Sequence, residues 1–264
     1  MSRADTVDRS VAALAGRTRT VLRGDELARR DGWLQSVHPV IVLVGLFALI
    51  VLTVTFDTPG PPAGVLVLAG GFAVASRIPL RSLALRVVPP AGVAFVVVSP
   101  QLVLLEGTGL LGPITDPGAT YVATFVLRVA AAVALLGLLI VTTRFAALTD
   151  ALRVLRVPRT AVTLLTITHR YLLVVFDELA RLVLARRSRR IRPATLRTSW
   201  QEAGSLLGTF FLRALSRGER VGRAARARGG TTGRSYPRLH PISLADVVFA
   251  FVVCATLAAG VSLA

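Results

Sequence analysis

Five apolar runs constrain this chain more than any other feature: residues 38–56, 61–76, 87–105, 121–141 and 242–263. A bilayer core of about 30 Å takes about 20 helical residues, so each run is a candidate span, and the second is short enough to need its flanks. One soluble core cannot absorb so much apolar surface. Hydrophobic residues make up 53% of the chain and charged residues only 17%, with a mean hydropathy of +0.67. The expected architecture is an all-α integral membrane protein with about five transmembrane helices and a cytoplasmic domain of long helices.

The charges orient those spans. All 31 basic residues are arginine, against 14 acids, for a formal net charge of +17. Arg29 and Arg30 precede the first run, Arg77, Arg81 and Arg86 fill the second connection, and residues 144–238 hold 20 arginines against five acids. The first connection (DTPGPP) and the third (EGTGLLGPITDPGAT) contain no basic residue. Positive loops stay inside, so the chain reads as a multi-pass protein of the cell membrane with its C-terminus outside. Residues 1–36 form a cytoplasmic N-terminal arm, 37–143 four spans, 144–240 a cytoplasmic domain and 241–264 the last span. The arm lacks the apolar stretch and cleavage site of a secretory signal.

Several chemistries are disfavoured. A phosphate-binding P-loop needs a lysine, and this chain has none, so ATP energy must come from a partner. Cys254 and the scattered His38, His169 and His240 suggest neither a disulfide framework nor a metal site, and no resident cofactor is expected. The GTGLLG run at 107–112 has the glycine spacing of a dinucleotide-binding turn, but Pro113 and Pro117 follow where the phosphate-binding helix would run. It reads as a flexible turn. Arg128 is the one arginine within the apolar runs. It is either functional, or it snorkels or faces a neighbouring helix.

The arginine-rich segment has helical punctuation. A short helix over 144–156 stops before Pro158, which suits the first turn of a second helix running to Ile191, ahead of Pro193. Ser199-Trp200-Gln201-Glu202 has capping-box spacing and predicts the start of a third helix, which runs to Arg228 and is stopped by Gly229, Gly230 and Gly233. Leu207, Phe211, Ala214, Gly218, Val221 and Ala225 recur at four-three spacing with Arg228 next in the series, while Arg220, Arg223 and Arg226 fall on other faces. On the second helix, Leu182, Ala185 and Arg189 share a face.

Each long helix thus ends in arginine. A guanidinium fork at a helix end can grip a partner's carboxylate at two points. It can equally complement the helix dipole, worth about 0.3–1 kcal/mol, or serve only to set topology. Nucleic acid is a poor fit, because no aromatic residues interleave with the arginines for base stacking.

Thr142-Thr143, Leu148, Leu152, Leu155, Val157-Pro158, then HRYLLVVFDELARLVLARRSRR (169–190) and SRGERVGRAARARGG (216–230) carry a resemblance. In order and spacing they resemble the transmembrane T component of energy-coupling factor transporters, in its CbiQ-like branch. The resemblance implies a non-catalytic scaffold in ATP-driven uptake of cobalt, nickel or a vitamin such as biotin. Its implied partners are two ABC ATPase subunits and a substrate-binding membrane S component within the lipid bilayer. The ATPase-docking tips carry over to Ser188-Arg189-Arg190 and Ala227-Arg228-Gly229. Two departures stand out: Ala225 occupies a position that is usually Met, and Val37-His38-Pro39-Val40 replaces a more usual Asp-Pro-Arg. Arg187 or Arg190 can share the role given to Arg189. The rival reading is a stand-alone membrane channel, or an anchored adaptor whose arginines contact lipid or protein.

Overall fold

The computed structural model describes residues 32–104, 109–111, 114–189, 196–229 and 243–263. Residues 1–31 of the N-terminal arm lie outside them, as do Gly107, Thr108, Gly112, Pro113, Arg190, Pro193, Gly230, Gly233 and His240. The helices are α1 (Trp33–Ser36), α2 (Pro39–Thr55), α3 (Gly60–Ala75), α4 (Leu80–Val98), α5 (Gln101–Leu104), α6 (Asp116–Thr142), α7 (Phe145–Val154), α8 (Arg159–Ser188), α9 (Leu196–Ala227) and α10 (Leu244–Leu263). β1 (Gly109–Leu111) and β2 (Ile114–Thr115) pair as a minimal antiparallel ribbon where the sequence suggested only a turn. The protein is all-α in architecture.

The five apolar runs fall on α2, α3, α4 with the short α5, α6 and α10, the third run being broken at Ser99 and Pro100. Two of them start earlier than hydropathy indicates. α4 begins at Leu80, directly after the extended Pro79, and so takes Arg81 and Arg86 into the helix. α6 begins at Asp116, with Pro117 in the first turn, where its missing N–H costs nothing. Arg128 is therefore not the only arginine within these helices. Hydropathy reports where lipid-like residues are dense, whereas a helix begins where the backbone can turn, and charged flanks are often helical. By length and composition α4, α6 and the 159–186 stretch of α8 can each cross a bilayer, while α2, α3 and 244–260 of α10 are shorter apolar helices.

The chain divides into two compact units. The first spans 24–156 and 238–264, and the described part of the second lies within 157–237. The division falls at Val157, because α7 packs on α2 in the first unit.

In the first unit α6 is central and contacts α2, α3 and α4, while α10 packs on α2. Small residues make this approach possible: Ala131 and Ala134 are fully buried on α6 beside Leu135 and Leu138. Gly45 is fixed by a similar contact, since a Cβ there would stand 2.6 Å from the Phe249 ring of α10. Trp33, Phe72 and Phe249 close one end of the bundle, with ring centroids 5.5–6.2 Å apart. The outward faces carry Phe47, Val51, Val67, Leu85, Val93, Val97 and Phe251, all exposed. A bundle apolar on both its inner and outer faces is stable only in lipid, which makes this an integral membrane protein.

Candidate docking site on the paired long helices

α8 and α9 form an antiparallel pair. Pro158 supplies the first carbonyl of α8, accepting from the amides of Ala161 and Val162. Their contact is polar at its centre: Arg213 Nη1 donates to Glu178 Oε1 at 3.0 Å, and Arg217 Nη2 to Glu178 Oε2 at 3.1 Å. Nearer the C-terminal end of α8, Arg186 reaches the Glu202 carbonyl and donates to Ser205 Oγ at 3.0 Å. Glu178 belongs to the charged half of α8, beyond the apolar stretch that ends at Phe176. Its hydrogen bond from Arg213 holds the carboxyl below the ordinary carboxylate range, aided by the charges of Arg213, Arg217 and Arg181 and opposed by desolvation.

The antiparallel register puts the two arginine tips at opposite ends of the pair, roughly 40 Å apart along α9. At the α8 end, Ser188 Oγ donates to the Ala185 carbonyl and the Arg189 amide to that of Arg186, so Arg189 leaves the last turn on an ordered backbone. At the α9 end, the Arg228 amide donates to the carbonyls of Ala224 and Ala225, and Gly229 turns the chain with φ of 92°. Only glycine takes that angle without strain, so the expected glycine stop lies at Gly229. Ser188, Arg189, Ala227, Arg228 and Gly229 are all exposed. Arg190 lies outside the described residues, and nothing is assigned to the Arg187 side chain. Among the described residues neither Arg189 nor Arg228 has an acidic partner, whereas Arg186, Arg213 and Arg217 are spent within the pair.

Two local expectations are corrected. α9 begins at Leu196, so Ser199 lies inside the first turn and does not cap it. An i, i+3 Ser–Glu spacing fits a helix interior as well as a helix start. The apolar stripe is also displaced: Leu207 and Phe211 are 56% and 66% exposed, and the half-buried face is Ala203, Leu206, Phe210, Ala214, Arg217 and Val221. Two apolar rows run along α9, and the one beside Arg213 and Arg217 is the one that meets α8, with Glu178 opposite those arginines. Trp200, Leu207, Phe211 and Leu215 remain uncovered within the pair.

The first unit holds two further ionic features. Arg128 on α6 donates through Nη2 to the Phe56 carbonyl at the C-terminal end of α2, with Asp57 Oδ1 3.5 Å away. Of its open readings, the structure supports the neighbouring-helix one, a cation against a helix C-terminus. Sequence reasoning overlooked Asp246. It is 2% exposed and accepts from the His38 amide at 2.5 Å and the Ser243 amide at 2.7 Å. Ser243 Oγ in turn accepts from the Ala245 amide at 3.2 Å, so Ser243-Leu244-Ala245-Asp246 is the capping box that the 199–202 stretch is not. The signal was an acid near the start of an apolar run, three residues after a serine.

A family model described as CbiQ, cobalt transport protein, matches residues 31–239. An uncharacterized protein of Methanocaldococcus jannaschii is 29% identical over 136 residues, covering 52% of this chain and 47% of that protein. The chain thus spans about half the length of the curated relative it matches.

Proposed function

From the premise that the chain belongs to the CbiQ family of cobalt transport proteins, we propose that it is the transmembrane scaffold of an energy-coupling factor importer. In this reading it links two ABC ATPase subunits to a substrate-binding membrane subunit and carries out no chemistry of its own. The observation that carries the reading is the pair of exposed arginine tips, Arg189 and Arg228, with no acidic partner among the described residues and held at opposite ends of one helical pair. Two tips so far apart suit two ATPases better than one. Cobalt is the substrate class in the family's description, and selection among metal ions and vitamins belongs to the partner that binds substrate.

The paired helices lie on the cytoplasmic side with the N-terminus. α8 is long enough to span a bilayer, but its second half carries Asp177, Glu178, Arg181 and Arg186, and it pairs with a helix bearing Arg213, Arg217, Arg220, Arg223 and Arg226. Hydrocarbon does not accept that density of charge. A reporter at Gly60 or Gly118 is therefore expected to read external and one at Gly233 internal. An external signal at Gly233 would overturn the orientation.

Purification through a tag on this chain in mild detergent tests the assignment. Stoichiometric Walker-motif ATPases should come with it, and the chain freed of them should hydrolyse no ATP. Turnover in an ATPase-free preparation would refute the scaffold reading.

A further inference from the structure

Beside the α8–α9 contact lies an open cavity of about 480 Å³, lined by Glu178, Thr209, Leu212, Arg213, Ser216, Arg217 and Arg220. Arg213, Arg217 and Arg220 stand at i, i+4 and i+7, so they form one row along α9. Glu178 bridges the first two rungs. Arg220, the third, is exposed and has no acidic partner among the described residues, yet it lines the same cavity.

We propose that Glu178 is a positioning residue of the coupling step, moving one rung along this ladder, from Arg213–Arg217 to Arg217–Arg220, when the docking tips are displaced. An apolar interface is held by interlocking shape and resists sliding. A carboxylate on a row of long guanidinium side chains has two equivalent resting points, because Arg217 keeps its hold while Arg213 is exchanged for Arg220. The cavity leaves room for that exchange. The midpoint between rungs advances by three to four residues, about 5 Å at 1.5 Å per residue, the scale of a one-turn shift of one helix past another. Displacement at one end of the pair would then reach the other end as a discrete step.

The proposal rests on the scaffold reading, and the experiment separates the two. The full complex is purified through a tag on this chain in a Cys254→Ser background, with spin labels on Leu184→Cys and Leu215→Cys, both exposed sites on α8 and α9. ATP is expected to change the label-to-label distance by up to about 5 Å. Arg220→Ala should suppress that change and lower uptake about tenfold with ATPase co-purification intact. Arg220→Lys keeps a cation on the rung and should recover part of both, whereas Arg223→Ala, off the ladder, should behave like the parent. If ATPases co-purify and either the parent shows no distance change or Arg220→Ala matches the parent, the ladder is wrong and the scaffold stands. If no ATPase accompanies the chain, the scaffold reading fails and the ladder fails with it.

Discussion

With Arg228→Ala, the ATPases are expected to come away from the chain and uptake to collapse, while membrane abundance stays at the parent level. Arg228 is exposed and makes no ion pair among the described residues, so its loss leaves the helical pair intact. If it makes a partly buried, bidentate contact with an ATPase carboxylate, truncation strands that charge and costs about 3–5 kcal/mol of docking. Arg189→Ala should act in the same direction and no more strongly, because Arg187 and Arg190 can cover for it. Lysine should rescue only in part, since it keeps the charge and loses the fork. Arg223 and Arg226 are just as exposed, which makes them stringent controls: exposure alone does not single out Arg228, and only its place at the ordered end of α9 does. Co-purification and uptake at equal abundance provide the measurement. Equal behaviour of all four alanine variants would reduce the tips to a generic inside-positive cluster.

Asp246→Ala should instead damage the fold. Its buried carboxylate closes the starts of two helices at once, accepting from His38 ahead of α2 and Ser243 ahead of α10. Removing it strands two amides and forfeits two charge-assisted hydrogen bonds, a loss of about 3–6 kcal/mol at about 1.5–3 kcal/mol each. Asp246→Asn retains one acceptor and should fall between. Thermal unfolding in detergent reads the effect, with reduced membrane abundance beside it. An unchanged midpoint for Asp246→Ala would show that the α2–α10 packing at Gly45 and Phe249 suffices without the cap.

Two stretches with the same Ser-x-x-acid spacing show where sequence reasoning stops. At 243–246 the spacing is a capping box, and at 199–202 it lies inside a helix already under way. Local chemistry permits both outcomes. At Asp246 a distant segment decides, because the His38 amide, more than 200 positions away in the chain, takes the second carboxylate oxygen.

The five apolar helices, the all-α class, the two long helices and the glycine stop at Gly229 were legible in the linear chain, because apolar density, helix termination and left-handed turning depend on residues close together. The face of α9 that meets α8, the engagement of Arg128 with α2, the pairing of Glu178 with Arg213 and Arg217, and the role of Asp246 were not. Each depends on which remote group lies within about 3 Å, and both apolar rows of α9 satisfy the same local periodicity. Only packing in three dimensions breaks that tie, and among the described residues the row that meets α8 is the one whose arginines face a carboxylate, Glu178.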